Sequence, residues 1–302
     1  MSPTNTSKVW LVTGSAAGLG RAVAEAVLAA GHQLVATARR PAELADLADK
    51  YGPRVRIAAL DVTDAAAATD AVSLAVNAFG RLDVVVNNAG YGETAPFEQM
   101  DPGRFRDQIE TNLFGVVNVT RAAIPVMRAQ RTGHILQISS VGGRVGTPGL
   151  SAYQAAKWAV GGLTEVLAME LAPFGIQLCA LEPGGMRTGW GQRARQAVPD
   201  LLPDYQPTVG AMLEMLRDYI GNEAGDPAKV AQVILRLADH PVLPTHLLLG
   251  GDALHFFGLV DAKRVEDAKA WEAVSRSTDV AHAGPIPPLP ETAGPVALSL
   301  PD

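Results

Sequence analysis

Tyr153 and Lys157 lie four residues apart in an alanine-rich segment, which predicts a helix that carries both side chains on one face. A phenol has an ordinary pKa of about 10 and exchanges protons poorly near neutrality. Because a nearby ammonium favours the phenolate, we expect Lys157 to lower the pKa of Tyr153, where about three units correspond to roughly 4 kcal/mol. Tyr153 is therefore a candidate general acid for reducing a carbonyl, or a general base for oxidising an alcohol.

Two further polar residues could serve the same reaction. Ser140 ends a predicted strand thirteen residues before Tyr153, and its hydroxyl could hydrogen-bond the same substrate oxygen. Asn112 falls inside a long predicted helix, where an asparagine is unfavourable unless its side chain has a partner. Lys157 is the only lysine between residues 51 and 228, and an arginine would not replace its compact ammonium. The alternative explanation is a surface Tyr–Lys pair and a helix-capping serine.

Residues 13–20 read TGSAAGLG and connect a predicted strand to a predicted helix. Glycines let backbone N–H groups approach a pyrophosphate, and the helix N-terminus adds partial positive charge. The spacing G-x-x-x-G-x-G differs from the G-x-G-x-x-G dinucleotide fingerprint and lacks the lysine of a P-loop. We interpret this segment as a phosphate-binding loop made by Gly14, Ser15, Gly18, Leu19 and Gly20.

Three further short motifs follow predicted strands. They are Asp61-Val62, residues 87–90 (NNAG) and residues 183–188 (PGGMRT). Each could be an ordinary turn, since Asn-Gly and Pro-Gly pairs usually are. Ligands bind outside the carboxyl ends of the strands of an open parallel sheet, so four loops at one edge favour a common site. The additional candidates for cofactor binding are Asp61, Val62, Asn88, Ala89, Gly90, Pro183, Gly184, Met186 and Thr188.

The end of the second predicted strand bears on the choice of cofactor. Dinucleotide folds that prefer NAD carry an acidic side chain there, which accepts hydrogen bonds from the adenosine ribose. Here Ala38 takes that place and Arg39 follows it. An arginine offers a planar fork of donors to a 2′-phosphate, which predicts that NADP(H) is preferred over NAD(H).

Short apolar runs alternate with longer alanine-rich stretches through most of the chain. Continuous apolar strands are typical of a parallel sheet that is buried on both faces. We predict an α/β, doubly wound Rossmann fold with a single parallel seven-stranded sheet and helices on both faces. The predicted strands are Val9–Val12, 33–37, Val55–Ala59, 83–86, 134–138, 176–181 and His246–Leu249. The predicted helices are 20–30, 42–51, Ala65–Phe79, 104–128, 152–171 and 227–239.

Residues 1–257 are predicted to form one Rossmann-type domain that binds a dinucleotide and carries the catalytic residues. Within it, residues 190–225 mix prolines with apolar side chains, and a long insertion at this edge of a sheet predicts a lid over the substrate. Residues 258–302 are predicted to form a C-terminal helix over residues 261–275 and a tail from residue 282. The tail holds six of the 21 prolines, which excludes a helix or an interior strand.

Composition argues against several other classes of function. The 302-residue chain has a formal net charge of −6, which leaves no basic field for a nucleic-acid partner. No stretch approaches the roughly 18 uncharged apolar residues of a membrane span, and residues 1–8 lack the apolar core of a secretory signal. We therefore expect a cytoplasmic protein without a membrane partner. The single cysteine, Cys179, excludes an internal disulfide and a multi-cysteine metal site, and no metal is expected.

Taken together, these motifs resemble the short-chain dehydrogenase/reductase family, in its branch of about 250 residues. Residues 13–20 match its TGxxxGxG motif, residues 87–90 its NNAG motif, and residues 183–188 its PGxxxT motif. Met186 replaces the usual branched residue of the last motif. Ser140, Tyr153 and Lys157 match its catalytic trio, and Asn112 fits its fourth catalytic position. The resemblance covers residues 8–257 and says nothing about the remainder.

The resemblance implies that a hydride passes between a nicotinamide cofactor and a carbonyl carbon. Ser140 would polarise the carbonyl oxygen and Tyr153 would transfer the proton. Lys157 would lower the pKa of Tyr153 and bind the nicotinamide ribose, so both residues also count as cofactor contacts. Asn112 would hold a water that relays protons to Lys157. The resemblance also implies a homodimer or homotetramer built on the helices that contain Asn112 and Tyr153.

Residues 140–143 and 36–39 resemble the hydroxysteroid and retinol dehydrogenase-like members of the family. The leading hypothesis is an NADP(H)-dependent carbonyl reductase or alcohol dehydrogenase whose small-molecule substrate is an apolar ketone or aldehyde. A 3-oxoacyl thioester or a polyol is the alternative substrate. Sugar epimerases also use Tyr-x-x-x-Lys, but their glycine spacing differs. A non-catalytic NADP-sensing regulator is the alternative from another class, and the four catalytic residues argue against it.

Overall fold

Parallel strands form the centre of the protein. The structure is a computed structural model that describes residues 7–196, 198–281, 284–291, 294, 296 and 298. The strands in this part of the chain are β1 (Val9–Val12), β2 (Gln33–Ala38), β3 (Val55–Ala59), β4 (Val84–Asn87), β5 (Gly133–Ile138), β6 (Ile176–Pro183) and β7 (His246–Leu249). They form one seven-stranded sheet in the order β3-β2-β1-β4-β5-β6-β7, and all neighbouring pairs are parallel. The predicted Rossmann-type fold is confirmed.

Helices follow the strands and cover both faces of the sheet. The helices of the described residues are α1 (Gly18–Ala29), α2 (Ala45–Tyr51), α3 (Ala65–Phe79), α4 (Pro102–Ile109), α5 (Gly115–Gln130), α6 (Ser151–Leu171), α7 (Trp190–Ala194), α8 (Ala211–Tyr219), α9 (Pro227–Leu237), α10 (Gly251–Ala270) and α11 (Glu272–Arg276). Short 3₁₀ turns occupy Pro41–Leu44, Gly52–Arg54, Phe97–Gln99, Val141–Gly143, Ala172–Phe174 and Pro203–Tyr205, and π-helical turns occupy Glu110–Phe114 and Gln206–Gly210. None of the described helices combines the length and apolarity that crossing a bilayer requires.

Alternate residues of β1 enter hydrophobic cores on opposite faces of the sheet. Trp10 and Val12 pack with side chains from α1 and α9, whereas Val9 and Leu11 pack with side chains from α3 and α5. All four are buried, and burying a side chain of this size contributes roughly 1.5–3 kcal/mol. The two cores explain why this strand shows no alternation of polar and apolar residues.

The strand order places a crevice beside β1. The chain runs outward from β1 to β2 and β3, then returns to β4 on the other side of β1. The carboxyl ends of strands at such a reversal are where ligands bind in open α/β sheets. The loop after β1 contains Gly14 and Gly18, and the loop after β4 contains Asn88, so both predicted motifs meet at this crevice.

The helix predicted over residues 104–128 is interrupted at Asn112. Helix α4 ends at Ile109, a π-helical turn follows, and α5 begins at Gly115. The side-chain amide of Asn112 donates to the carbonyl of Gln108, which a regular helix would use for the Asn112 backbone N–H. This competition accounts for the wider turn, which hydrophobic spacing alone does not reveal.

The C-terminal helix begins at Gly251, whereas the sequence predicted a start at residue 261. The sequence signal was the spacing of Val265, Ala268 and Trp271, which covers only its later turns. Residue 257, the predicted domain boundary, therefore lies inside α10.

The predicted lid, residues 190–225, contains α7 and α8. In the predicted tail, residues 284–291 form neither helix nor strand, while residues 282–283 and most residues after 291 lie outside the described residues.

Candidate active site

A cleft of about 1540 Å³ opens at the carboxyl ends of the strands. It is larger than the roughly 300–1,000 Å³ of a pocket for one small molecule, so it has room for a dinucleotide and a second compound. The predicted site residues that line the cleft are Gly14, Gly18, Leu19, Arg39, Asp61, Val62, Asn88, Ala89, Gly90, Ser140, Tyr153, Lys157, Pro183, Gly184, Met186 and Thr188. Ser15, Gly20 and Asn112 are buried behind its wall.

The loop after β1 forms a cradle of backbone N–H groups. Gly14 and Gly18 adopt φ angles of +67° and +57°, in the left-handed region that favours glycine. Helix α1 begins at Gly18, and Ala17 before it supplies no side-chain cap. The N–H groups of the first turn therefore have no partner within the helix. This arrangement fits the pyrophosphate of a dinucleotide, since unpaired N–H groups and the helix dipole both favour an anion.

Ser15 and Gly20 are buried beside this loop and do not line the cleft, and their predicted role as cofactor contacts stays a prediction. Ser15 donates its backbone N–H to the carbonyl of Thr37 and its hydroxyl to the carbonyl of Val12, each over 2.8 Å. These bonds turn its polar groups toward the sheet. A Cβ on Gly20 would overlap the side-chain amide of Asn88, so only a glycine fits there.

Asn88 and Thr13 join the loop after β4 to the loop after β1. The Asn88 side-chain amide donates to the carbonyls of Thr13 (2.9 Å) and Gly14 (3.2 Å). In return, the Thr13 hydroxyl accepts hydrogen bonds from the backbone N–H groups of Asn88 and Ala89, each over 2.9 Å. These four bonds fix the two loops relative to each other at the wall of the cleft.

Arg39 and Asp61 lie at the rim of the cleft. The Asp61 carboxylate accepts hydrogen bonds from the hydroxyl and the N–H of Thr63, which lower the pKa of Asp61 together with the positive charge of Arg39. Arg39 is exposed and forms no ion pair with a described residue, whereas Arg40 donates to Glu43 over 2.7 Å. The guanidinium of Arg39 is therefore available to an anion.

Tyr153, Lys157 and Ser140 share one corner of the cleft. Tyr153 and Lys157 lie on successive turns of α6 and are 8% and 4% exposed. The Lys157 ammonium donates to the carbonyl of Ile138 over 2.7 Å and lies 5.6 Å from the centre of the Tyr153 ring. Ser140, two residues after β5, lies beside the Tyr153 phenol and lowers its pKa, and its hydroxyl accepts from the N–H of Gly142. A phenol, a hydroxyl and an ammonium are thus held together away from bulk water.

Burial dominates the proton affinities of this corner. It raises the pKa of Tyr153 to about 12, against the lowering effect of the Ser140 hydrogen bond. It also lowers the pKa of Lys157 to about 8, because the charged ammonium is poorly solvated. The expectation that Lys157 lowers the pKa of Tyr153 is not met in this structure, since the ammonium is directed at the Ile138 carbonyl. The phenol is protonated at neutral pH and can serve as a proton donor.

Asn112 has the partners that its position inside a helix requires. Its side-chain amide donates to the carbonyls of Tyr91 and Gln108, each over 2.8 Å, and its Oδ1 accepts from the N–H of Tyr91 over 3.1 Å. A Cβ on Gly90 would lie 2.6 Å from the Asn112 Oδ1 and 3.6 Å from the Lys157 ammonium. The missing Cβ of Gly90 therefore leaves space between the Asn112 side chain and the Lys157 ammonium.

The cleft is also lined by residues that sequence reasoning did not select as site residues. The Trp190 ring lies 5.1 Å from the Tyr153 ring, with 52° between their planes. The other apolar residues of this side include Val145, Leu150, Met215, Leu216 and Ile220. Trp190, Met215, Leu216 and Ile220 belong to residues 190–225, and the predicted lid was the signal for them in the sequence. Tyr219 and Asp252 also line the cleft and belong to no motif.

Comparison with known sequences identifies relatives over most of the chain. The sequence profile of the short chain dehydrogenase family matches residues 8–199. Oxidoreductase BOA17 from Botryotinia fuckeliana (strain B05.10) is 47% identical over 270 residues, which are 89% of this chain and 98% of that protein. The similarity therefore extends beyond the glycine loop and the Tyr–Lys pair to nearly the whole length of a known oxidoreductase.

Solved structures agree with this relationship. A short-chain dehydrogenase from Streptomyces avermitilis has a TM-score of 0.82 and 41% identity, covering 91% of this chain and 100% of that one. A short chain dehydrogenase/reductase from Burkholderia phymatum in complex with NAD has a TM-score of 0.75 and 25% identity, covering 86% and 95%. ElxO with NADP bound has a TM-score of 0.70 and 28% identity, covering 83% and 100%. Similar proteins thus bind either nicotinamide cofactor.

Proposed function

The chain belongs to the short-chain dehydrogenase/reductase family, and we propose that it is an NADP(H)-dependent enzyme that interconverts an apolar ketone or aldehyde and its alcohol. One observation carries this proposal. The Tyr153 phenol, the Ser140 hydroxyl and the Lys157 ammonium share a buried corner of a cleft that also contains a phosphate cradle. Such a cleft brings a proton donor next to a bound nicotinamide cofactor.

The cofactor would supply the hydride, and the protein would bind and orient it. Gly14, Gly18 and the first turn of α1 would hold the pyrophosphate. The remaining cleft residues proposed as cofactor contacts are Leu19, Asp61, Val62, Asn88, Ala89, Gly90, Pro183, Gly184, Met186 and Thr188. Residues 183–188 follow β6 on the side of the cleft where Tyr153 lies, so we assign them to the nicotinamide end.

Tyr153 would donate its proton to the carbonyl oxygen as the carbonyl carbon is reduced. Its pKa of about 12 keeps the phenol protonated at neutral pH, as a general acid requires. The Ser140 hydroxyl would donate a hydrogen bond to the same oxygen, where negative charge develops. The Lys157 ammonium would stabilise the phenolate left behind and bind the nicotinamide ribose.

Asn112 would support the return of a proton to Lys157. Both N–H groups of its side chain are used by backbone carbonyls, and its Oδ1 accepts one hydrogen bond and can accept another. We assign that free acceptor position to a water that exchanges protons with Lys157 beyond Gly90.

An apolar substrate is supported by the side chains around the phenol. Trp190 packs beside Tyr153, and the half-buried Met215 and Leu216 come from α8. An apolar wall binds an apolar compound by removing both from water, at roughly 25 cal/mol per Å² of buried apolar surface. These residues offer few donors or acceptors to a polyol, which favours the ketone or aldehyde.

NADP(H) is supported by the end of β2. Arg39 follows the buried Ala38 and has no ion-pair partner among the described residues. Ala38 takes the place of the acidic side chain that would repel a 2′-phosphate, and the Arg39 guanidinium offers paired donors to that phosphate.

A homodimer or homotetramer is supported by the outer surface of α6. Trp158, Val166 and Met169 lie within one face of this helix and are 44%, 48% and 72% exposed. Large exposed apolar side chains on one face of a long helix favour contact with a second copy. The expected cytoplasmic location stays a prediction.

The test is a turnover assay that follows nicotinamide absorbance. NADPH or NADH is mixed with apolar ketones, aldehydes, steroids and 3-oxoacyl thioesters, and NADP with secondary alcohols and polyols. We expect turnover of apolar carbonyl compounds with NADPH and none with Tyr153→Phe, which excludes a contaminating enzyme. Cofactor binding without turnover across the whole panel would instead support a regulator that senses NADP.

A further inference from the structure

Asp252 is a buried carboxylate that receives hydrogen bonds from different parts of the chain. It lies in the first turn of α10 and is 5% exposed. Its Oδ2 accepts from the N–H of Gly185 over 2.6 Å and from the hydroxyl of Tyr219 over 2.7 Å, and its Oδ1 accepts from the N–H of Ala253 over 2.9 Å. It forms no ion pair with a described residue. A buried carboxylate is costly unless such bonds satisfy it, so these donors must stay in place.

The backbone around Asp252 is shaped by glycines. A Cβ on Gly184 or on Gly250 would overlap the Asp252 carboxylate, and a Cβ on Gly185 would overlap the Tyr219 hydroxyl. Gly250 also has a φ of +116°, which L side chains rarely adopt. The loop after β6 and the turn before α10 are therefore both fitted closely around the Tyr219–Asp252 pair.

The pair connects the predicted lid to the loop that we assign to the nicotinamide end. Tyr219 is the last residue of α8, the helix that carries Met215 and Leu216 into the cleft. Gly185 belongs to residues 183–188. Burial and the neighbouring Asp252 both raise the pKa of Tyr219, so its hydroxyl keeps its proton and remains a donor over the whole physiological range of pH.

Few of the side chains that the structure describes in α8 are buried. Met212 is buried, whereas Met215 and Leu216 are half-buried. A helix with few buried side chains opens with a small free energy, so one hydrogen bond to a charged group is a large part of what holds it.

We propose that the Tyr219–Asp252 hydrogen bond is the latch that holds α8 closed over residues 183–188 and the substrate side of the cleft. Tyr219 and Asp252 are then positioning residues, which act through α8 and the Gly185 backbone. The effect on substrate rests on the proposed function, whereas the effect on the opening of α8 does not.

Tyr219→Phe tests the latch because it keeps the ring and removes only the hydroxyl. In ligand-free protein, we expect amide hydrogen exchange in residues 206–222 to become about tenfold faster or more, since a lost bond to a charged group changes the opening equilibrium by that factor. Exchange in the sheet should not change. In turnover, KM for the carbonyl substrate should rise about tenfold while kcat stays within about twofold, because closure adds uniform binding. The Kd of NADPH should stay within about twofold.

Tyr205→Phe is the matched control. Tyr205 lies in the same insertion, and its hydroxyl also donates to a carboxylate, that of Glu98 over 2.6 Å, but no hydrogen bond joins this pair to residues 183–188 among the described residues. We expect unchanged exchange and unchanged KM. Asp252→Asn adds a conservative variant, since its amide oxygen can still accept from Gly185 and Tyr219. We expect hydrogen exchange over residues 206–222 to increase less in Asp252→Asn than in Tyr219→Phe.

The outcomes separate the latch from the proposed function. Unchanged exchange over residues 206–222 in Tyr219→Phe would overturn the latch, even if Tyr153→Phe is inactive as the proposed function requires. Equally accelerated exchange in Tyr219→Phe and Tyr205→Phe would also overturn it, since loss of any tyrosine hydroxyl in the insertion would then have the same effect. Faster exchange in Tyr219→Phe alone, in a protein that turns over no carbonyl compound, would support the latch while the proposed function fails.

Discussion

The Lys157 ammonium donates its hydrogen bond to the carbonyl of Ile138 and not to the Tyr153 phenol, whose ring centre lies 5.6 Å away. The ammonium is therefore held beside the phenol without a hydrogen bond to it, in a poorly solvated corner. In the mechanism that we propose, its charge acts after the phenol has lost its proton, when the resulting phenolate needs a counter-charge. This relationship separates the roles of the two residues and makes each of them testable.

Removal of the Tyr153 hydroxyl should abolish turnover with little effect on cofactor binding. In Tyr153→Phe the ring and its packing remain, and loss of a positioned proton donor costs about 10²–10⁴-fold in rate. We expect the Kd of NADPH to stay within a few-fold. Lys157→Met should lose turnover and also bind NADPH more weakly, because we assign Lys157 both to stabilising the Tyr153 phenolate and to binding the nicotinamide ribose. Steady-state kinetics and a fluorescence titration measure the two effects, and near-normal activity of Tyr153→Phe would refute the assignment of the proton donor.

The rate of reduction should fall at alkaline pH because of Lys157. Burial lowers its pKa to about 8, so the ammonium is charged below that pH and loses its charge above it. Tyr153, with a pKa of about 12, stays protonated through this range. We expect kcat/KM for carbonyl reduction to fall about tenfold per pH unit above about pH 8. Lys157→Arg keeps its charge and should be less active but lack this fall. A wild-type profile that stays flat to about pH 10 would contradict the assignment.

The fold should lose stability in mildly acidic solution because of two buried histidines. Burial lowers the pKa of His32 and of His134 below the ordinary value near 6.5. In mildly acidic solution each of these histidines therefore binds fewer protons in the native protein than in the unfolded chain. The stability that each neutral histidine contributes is complete above about pH 6.5 and is lost as the pH falls. The unfolding midpoint should drop between about pH 7.5 and about pH 5.5. The drop should be smaller in His134→Leu, which cannot be protonated, and unchanged in His240→Gln, which alters an exposed residue.

Cofactor choice should depend on Arg39 and not on its neighbour. Arg39→Ala should raise KM for NADPH about tenfold or more with little effect on NADH, since a charge-assisted bond contributes roughly 1.5–3 kcal/mol. Ala38→Asp should shift the preference further toward NADH by repelling the 2′-phosphate. Arg40→Ala is the matched control, because Arg40 already pairs with Glu43. Kinetics with both cofactors decide the question, and a wild type that favours NADH would overturn this assignment while leaving the catalytic one intact.

The sequence predicted those parts of the site that lie within a few neighbouring residues. Tyr153 and Lys157 share one helix face because of their spacing, and the glycine loop is recognisable from its place between a strand and a helix. The hydrogen bond from the Ser15 hydroxyl to the Val12 carbonyl could not be predicted, because spacing identifies a loop but not the direction of each side chain. The strands were predicted well, since apolar runs of this kind fit few places other than a buried parallel sheet.

Features that depend on tertiary packing could not be predicted. The hydrogen bond between Tyr219 and Asp252 spans 33 residues and joins two elements with no shared motif. The high pKa of Tyr153 follows from burial beneath surrounding elements, whereas the local sequence shows only the neighbouring lysine. The π-helical turn at Asn112 arises because one side chain takes a backbone acceptor, and the partner of its other hydrogen bonds, Tyr91, lies 21 residues away.

The contact between Gly92 and Trp190 restricts how this cleft can be remodelled by mutation. A Cβ on Gly92 would lie 2.7 Å from the Trp190 ring and 3.3 Å from the Tyr153 ring, so the two aromatic residues leave no space for growth. Replacing Gly92 first with a larger residue would displace Trp190 and disturb the Tyr153 phenol beside it. Replacing Trp190 first with a smaller residue creates space that a side chain at position 92 can then fill. Laboratory evolution toward bulkier substrates should therefore accept substitutions of Trp190 before any substitution of Gly92, an ordering imposed by a single pair of contacting residues.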